Sequence, residues 1–289
     1  MKILVLGGTR FFGRLLIEKL LEQGHRVTIA TRGKTLDPFG ERVNRSVVDR
    51  FSEVSMSQAF RETQWDAIYD QICYTPNDAK IACDVFAGKT LHYIFTSSMA
   101  VYDAFKEEPF LESDFEPYAY PLVENSEREA FSYSEGKRAA EAYFFQKAAF
   151  PVTAVRFPIV MGEEDYTERL TFHIERIKEG KAFYIPNEAS KMSYISAEEA
   201  GDFLAWLAES QLMGPVNACS DGVISIKDMI ALIERIVGKE AVLAADKRAE
   251  QSPYGYAGTK MMSTEKAKKA GYAFRNLHDW LPSLIEKLK

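Results

Sequence analysis

A tyrosine and a lysine four residues apart can form a proton-transfer pair, and this spacing occurs at Tyr133 and Lys137. On a helix, four residues turn the chain by about 400°, so the phenol and the ammonium group lie on nearly the same face. A nearby positive charge stabilises phenolate and lowers the tyrosine pKa from about 10 towards the range of a general acid or base. The pair therefore predicts a site in which Tyr133 exchanges a proton with a bound hydroxyl or carbonyl group.

The spacing alone is not specific, because it occurs three times, at Tyr133/Lys137, Tyr143/Lys147 and Tyr256/Lys260. Tyr133 begins a predicted helix, and an earlier predicted strand ends in hydroxyl side chains up to Ser98. Ligands bind at the carboxyl edge of open α/β sheets, so Ser98 and Tyr133 are expected to meet there. Tyr143 lies about 15 Å further along the same helix. Tyr256 falls in a predicted loop, so we expect neither of the other two pairs to be functional.

A glycine-rich turn follows the first predicted strand, where KILVL leads directly into GGTRFFG and then into a predicted helix. Glycine permits the sharp turn, the close approach of backbone to a pyrophosphate and the tight packing of helix on strand. The helix N-terminus supplies free N–H groups and a positive dipole end for phosphates. The turn predicts dinucleotide binding, with cofactor contacts from Gly7, Thr9, Arg10, Phe11, Phe12 and Gly13.

The residues that follow the next two strands bear on the choice of cofactor. NAD sites usually place an acidic residue after the second strand to hold the ribose hydroxyls, whereas this chain has Arg32 there. Together with Arg10, this arginine suits the 2′-phosphate of NADP, so we expect NADP in preference to NAD. A solvated surface position is the alternative for either arginine. Asp49, after the third strand, is either an acceptor for the adenine amino group or a solvated turn residue.

Short apolar runs alternate with helical patterns along the first half of the chain, which favours a parallel sheet covered on both faces. Strands are predicted at 2–6, 26–31, 44–48, within 65–74, at 91–98 and at 152–157, and helices at 12–24, 52–63, 77–87 and 133–149. The C-terminal part is less regular, with strands predicted at 191–195 and 215–219 and helices at 167–179, 197–209, 225–237, 263–270 and 277–288. We therefore predict an α/β fold: a Rossmann-type doubly wound sheet over residues 1–158, rejoined by segments near 191–220, with a smaller substrate-binding lobe over 159–289.

The amino-acid composition limits the classes of molecule that the protein is expected to bind. The chain has 289 residues and a net charge of −6, so it offers no broad positive field for nucleic acid or anionic membrane. Its three cysteines and four histidines are dispersed, which predicts no metal site. The N-terminal apolar run is too short for a signal peptide, and no apolar stretch reaches the length of a membrane span. We expect a cytoplasmic protein with a small-molecule substrate, without membrane partners and with nucleic acid an unlikely one.

The segments GGTRFFG, TSSMAVY, YSEGKRAAE and VRFPIVMG, in this order and spacing, resemble the extended short-chain dehydrogenase/reductase family, which includes sugar-nucleotide epimerases, dehydratases and reductases. The likeness covers nearly the whole chain and weakens after about residue 240. It implies that Ser98, Tyr133 and Lys137 are catalytic and that Lys137 also contacts the nicotinamide ribose. It places Phe157 and Ile159 near the nicotinamide.

The resemblance implies two further features. Segment 191–196 corresponds to the part that helps to hold the substrate nucleotide. Relatives dimerise through helices that correspond to those near 77–87 and 133–149, so a homodimer with Phe144 and Phe145 in its interface is one expectation.

Two departures from the family pattern put parts of the cofactor site in question. Arg10 replaces the middle glycine of GxxGxxG, and the segment from Asp70 to Tyr74 replaces a small-residue turn that ends the fourth strand. GGTRF and the stretch from Tyr166 to Pro186 also resemble a branch near the chloroplast stem-loop RNA-binding proteins.

The sequence leaves three functions open. The first is an NAD(P)-dependent epimerase, dehydratase or reductase that acts on a sugar nucleotide or a similar polar metabolite. The second is a non-catalytic NADP- or RNA-binding protein on the same scaffold. The third is a plain reductase of small carbonyl compounds, which shares the catalytic site and differs in the substrate pocket.

Overall fold

The centre of the molecule is one parallel sheet of seven strands in a computed structural model that describes residues 1–123 and 128–289. Its strands are β1 (Lys2–Leu6), β2 (Arg26–Thr31), β3 (Asn44–Val47), β4 (Ala67–Asp70), β5 (Tyr93–Ser98), β6 (Val152–Phe157) and β10 (Gly214–Asn217). Their order is β10-β6-β5-β4-β1-β2-β3, so the direction of winding reverses between β1 and β4. Ligands of open α/β sheets bind beside such a reversal, at the carboxyl ends of the strands.

Helices cover both faces of this sheet, as predicted. They are α1 (Phe12–Glu22), α2 (Glu53–Phe60), α3 (Pro76–Phe86), α4 (Tyr133–Lys147) and α6 (Ala197–Leu207). In β1, Ile3 and Val5 pack in the core with α1 and α6, whereas Leu4 and Leu6 pack in the core with α2, α3 and α4. Every second residue of a strand points to the same face, so the four apolar residues after Lys2 serve two hydrophobic cores at once. The predicted doubly wound architecture is confirmed.

A smaller lobe with its own hydrophobic core follows β6. It contains α5 (Arg169–Glu179), α7 (Ile226–Val237), α9 (Leu277–Leu288) and the short strands β7 (Ile159–Met161), β8 (Lys191–Met192), β9 (Tyr194–Ser196) and β11 (Ile224–Ser225). The short helix α8 (Glu265–Lys269) packs instead on β10 of the main sheet. β7 pairs with β9, and β8 pairs with β11. Between β9 and β11 along the sequence, the chain returns to the main sheet, where α6 packs on α1 and β10 pairs with β6.

The strand predicted at 191–195 is interrupted at Ser193. The Ser193 backbone N–H donates to the Lys260 carbonyl, and its hydroxyl accepts from the Met262 N–H at 3.0 Å. The strand therefore changes partner at this residue, from β11 on one side to β7 on the other. A periodic pattern in the sequence does not indicate such a change of partner.

A buried ion pair joins α4 to the sheet. Arg156 of β6 and Glu141 of α4 are both fully buried, and their closest N–O distance is 2.6 Å. Arg156 also donates to the Tyr102 hydroxyl and to the backbone carbonyls of Glu112 and Phe115. Ser97 of β5 donates a hydrogen bond to the same carboxylate. Because both charged groups have hydrogen-bond partners, this pair fixes the position of α4 on the sheet.

In the part of the chain that the structure describes, no helix is long and apolar enough to cross a membrane. Within the same residues, no three histidine, cysteine or acidic side chains come together as a metal site. The three cysteines are free and buried.

Removal of the Glu141 carboxylate is expected to destabilise the fold strongly. Glu141→Ala leaves the Arg156 guanidinium buried without its counter-ion, which costs about 3–5 kcal/mol. Asp84→Ala is the matched control, because it removes the exposed Lys80–Asp84 pair on α3 and costs at most about 0.5 kcal/mol. Urea unfolding followed by circular dichroism measures both variants. Equal midpoints for the two would contradict the importance assigned to the buried pair.

Candidate functional site

The glycine turn after β1 has the close packing that a dinucleotide site requires. Gly7 and Gly8 have φ values of +88° and +78°, a region that side-chain-bearing residues rarely adopt. A Cβ on Gly13 would lie 2.8 Å from the Gly8 Cα, so only glycine allows α1 to begin so close to the turn. The N-terminus of α1, which no side chain caps, follows this turn directly at the carboxyl edge of the sheet. These features fit the phosphates of a dinucleotide.

Two aromatic residues complete the turn. Phe11 has a positive φ of 49°, which is strained for a residue with a side chain, and its ring packs edge-on against Phe12 and Tyr166. Phe12 packs against Phe157, whose ring is buried at the end of β6. Phe157 therefore supports the wall of the site from behind, whereas Phe11, Phe12 and Ile159 line it directly.

A cavity of about 320 Å³ lies beside the turn, over the carboxyl ends of β2 and β3. It is lined by residues that include Gly7, Thr9, Arg10, Arg32, Lys34 and Asp49. Arg10, Arg32 and Lys34 are exposed, and their side chains form no ion pair with any residue in the described ranges. Asp49 Oδ1 accepts from the Phe51 N–H at 3.1 Å, and Asp49 is the only acidic residue among those that line this cavity. Sequence reasoning had not identified Lys34.

A second cavity of about 320 Å³ lies on the other side of the turn and contains both predicted catalytic hydroxyls. Ser98 is the last residue of β5, and its Oγ accepts from the Ala100 N–H at 3.1 Å. Tyr133 is the first residue of α4, where Ser132 caps the helix. With 56% of its surface exposed, Tyr133 is open to the cavity. The structure therefore brings Ser98 and Tyr133 together, as the sequence predicted.

Lys137 lies underneath this cavity and does not line it. It is 2% exposed, and its Nζ donates to the Thr96 and Cys73 carbonyls at 2.8 and 2.7 Å. The Nζ lies 5.8 Å from the centre of the Tyr133 ring and 4.7 Å from that of Tyr74. The positive charge is thus near the phenol, as expected. The ammonium group faces neither cavity, which differs from the direct ribose contact that the family resemblance implied.

The unusual segment from Asp70 to Tyr74 has a structural explanation. Asp70 is fully buried and accepts hydrogen bonds from Arg50 and from the Tyr93 hydroxyl, so it belongs to the sheet and not to the cavity. Tyr74 covers the Lys137 ammonium with its ring. A Cβ on Gly136 would overlap the Tyr74 carbonyl oxygen, so this glycine lets α4 pack closely on the segment. Burial raises the pKa of Tyr74, which therefore stays a neutral phenol.

The third tyrosine–lysine pair lies in the same cavity as Ser98 and Tyr133. Tyr256 and Lys260 line it, together with Asp165 and Arg169. The sequence predicts no function for this pair because Tyr256 falls in a loop, yet the structure places both residues in the cavity with Ser98 and Tyr133. The pattern itself was the only signal in the sequence, since nothing in it shows where the loop packs.

Two features implied by the family resemblance are arranged differently here. Met192 and Tyr194, in the segment expected to hold a substrate nucleotide, are fully buried in the core of the smaller lobe. Phe144 is buried against β5, and the ring of Phe145 packs against Tyr118 of the same chain. Phe144, expected in a dimer interface, is therefore covered within one chain, whereas Phe145 is only partly buried.

Comparison with known proteins finds one matching family model and several enzymes of similar fold. Residues 3–82 match the model of the NAD dependent epimerase/dehydratase family. The fold of the whole chain is similar to that of UDP-glucose 4-epimerase from Thermus thermophilus in complex with NAD, at a TM-score of 0.75, 18% identity, and coverage of 100% of this chain and 99% of the other. It is also similar to dTDP-glucose 4,6-dehydratase from Bacillus anthracis in complex with NAD, at a TM-score of 0.76, 14% identity, and coverage of 99% and 96%.

A curated relative is the chloroplast stem-loop binding protein of 41 kDa b from Arabidopsis thaliana, which is 25% identical over 207 residues. The match covers 67% of this chain and 51% of the relative, so the chain spans about half the length of that protein. Residues 3–82 are therefore similar to the NAD dependent epimerase/dehydratase family, and the whole chain shares the fold of the two enzymes named above.

Proposed function

We propose that the protein is an NADP-dependent enzyme that acts as an epimerase, dehydratase or reductase on a sugar nucleotide or a similar polar metabolite. The observation that carries this proposal is that the Ser98 and Tyr133 side chains line one cavity, directly beside the glycine turn. A protein that only bound a dinucleotide would not need two hydroxyl groups at that position. The enzymes of similar fold named above support the same reaction class.

Ser98, Tyr133 and Lys137 have distinct proposed roles. The cofactor, when bound, supplies hydride transfer at its nicotinamide. Tyr133 gives or takes the proton of the substrate hydroxyl, since its phenol is open to the cavity. Ser98 orients the substrate oxygen by a hydrogen bond. The Lys137 charge, held beneath the Tyr133 ring by two carbonyls, stabilises negative charge that develops on the phenol oxygen.

The preference for NADP rests on the charges of the adenosine-side cavity. Arg10, Arg32 and Lys34 line it, and no acidic residue follows β2 to hold free ribose hydroxyls. A 2′-phosphate would receive charge-assisted hydrogen bonds from these groups. The two structures named above contain NAD, so this preference is proposed from the residues of this chain alone.

Arg32→Ala is expected to weaken NADP binding by about 1–3 kcal/mol, the usual value of a hydrogen bond to a charged group, and to leave NAD binding nearly unchanged. Arg26→Ala is the matched control, because Arg26 begins β2, the strand that Arg32 follows, and lies at the opposite edge of the sheet, beside Lys2 and Trp65. Isothermal titration calorimetry with each cofactor measures both variants. Equal wild-type affinities for NAD and NADP would contradict the proposed preference.

Tyr133→Phe keeps the ring but removes the hydroxyl that moves the proton. Turnover is expected to fall by about 10²–10⁴-fold, the usual contribution of general acid–base catalysis, while NADP affinity is retained. The measurement is the change in nicotinamide absorbance, or product formation for an epimerase, on a substrate found by screening polar metabolites.

Tyr143→Phe is the control, since Tyr143 is in the same helix and the same sequence pattern but lines neither cavity. Full turnover by Tyr133→Phe would exclude the proposed mechanism. Normal NADP binding without turnover on any screened compound would favour the non-catalytic alternative.

A further inference from the structure

The cavity that Ser98 and Tyr133 line also contains two cations, Arg169 and Lys260. Arg169 is the first residue of α5, and Lys260 comes from the loop before α8. Both are half-buried and line the same cavity of about 320 Å³. The roles proposed above for Ser98, Tyr133 and Lys137 leave these cations without a function.

The Arg169 guanidinium is unpartnered among the residues that the structure describes. Within residues 1–123 and 128–289 it forms neither a hydrogen bond nor an ion pair, although the other half-buried arginines of this region do. A partly desolvated guanidinium without an acceptor is unfavourable, and its planar fork matches the oxygens of a phosphate or carboxylate.

Lys260 is held in place and does not behave as a mobile surface lysine. Its backbone N–H donates to the Lys191 carbonyl at 2.8 Å, and its Nζ donates to the Tyr102 carbonyl at 2.6 Å. The ammonium group has further N–H donors beyond this hydrogen bond. Burial lowers the pKa of Lys260, so a bound anion would compensate for the partial loss of solvation.

Asp165 gives the same wall an acceptor. Its Oδ1 accepts from the Thr167 N–H and hydroxyl at 2.9 and 2.6 Å, whereas its Oδ2 is buried and has no partner among the described residues. A cavity that contains one carboxylate and two cations suits a ligand that carries both an anionic group and hydroxyl donors.

The volume of the cavity favours a small ligand. About 320 Å³ is near the lower end of the roughly 300–1,000 Å³ usual for ligand pockets, and in the proposed function the nicotinamide shares this space with the substrate. One small molecule that carries both an anionic group and a reacting hydroxyl fits this space best, because the two cations and the two hydroxyls line the same cavity.

We propose that Arg169 and Lys260 bind an oxyanion of the substrate, and that the substrate is a small hydroxylated phosphate or carboxylate and not a nucleotide-linked sugar or a neutral carbonyl compound. This inference rests on the proposed function and narrows its substrate class. The Tyr256/Lys260 pair thus serves substrate binding, whereas the Tyr133/Lys137 pair serves proton transfer.

The test is isothermal titration calorimetry on the NADP-saturated 289-residue chain with glucose 6-phosphate, gluconate and UDP-glucose as probes. The first two distinguish a phosphate from a carboxylate as the preferred oxyanion. Arg169→Met and Lys260→Met are expected to bind the preferred small anion at least about tenfold more weakly, the loss of a charged hydrogen bond, with NADP affinity unchanged. Lys147→Met is the matched control, because this exposed lysine ends the second tyrosine–lysine pair on α4.

Lys260→Arg keeps the charge and should restore most of the affinity, which separates charge from packing if Lys260→Met folds poorly. Unchanged binding in both methionine variants, an equal loss of NADP affinity, or tighter binding of UDP-glucose than of both small anions would overturn the inference. Tyr133→Phe should still bind the anion. Anion binding that depends on Arg169 and Lys260 without any turnover would refute the proposed reaction and leave this binding site standing.

Discussion

Glu141 and Arg156 are both removed from water, and each charge loses hydration energy of several kcal/mol as a result. The pair is tolerated because the guanidinium reaches Glu141, the Tyr102 hydroxyl and two backbone carbonyls, while Ser97 also donates to the carboxylate. These contacts tie α4 to β5, to β6 and to the segment after β5. Two turns before Glu141, the same helix begins at Tyr133, so the position of the phenol depends on this buried pair.

Lys137 forms the second attachment of α4. Its ammonium group joins the end of β5 to the turn after β4 through the Thr96 and Cys73 carbonyls, and Gly136 permits the close approach. The helix is thus fixed at the carboxyl ends of β4 and β5, beside the cavity that contains Ser98. Preorganised groups of this kind need no rearrangement during reaction, which is how a rigid scaffold contributes to catalysis.

The sequence predicted the elements that depend on local pattern. The strand before Gly7, the alternation of strand and helix, and the meeting of Ser98 and Tyr133 at one edge all follow from periodicity and from parallel pairing. It could not predict contacts set by loops. The burial of Lys137 depends on Tyr74, and the place of Lys260 depends on a loop that packs on the chain near Tyr102 and Lys191. Likewise, nothing local indicated that the chain around Tyr118 packs against Phe145.

We propose that the cofactor and the substrate react in the cavity lined by Ser98 and Tyr133. A crystal structure of the 289-residue chain with NADP is the decisive measurement, since the density locates both ends of the cofactor independently of any assay. We expect the adenosine 2′-phosphate among Arg10, Arg32 and Lys34, the pyrophosphate on the glycine turn, and the nicotinamide ring in the cavity with Ser98 and Tyr133. A nicotinamide ring outside that cavity, or a cofactor bound away from the glycine turn, would contradict it.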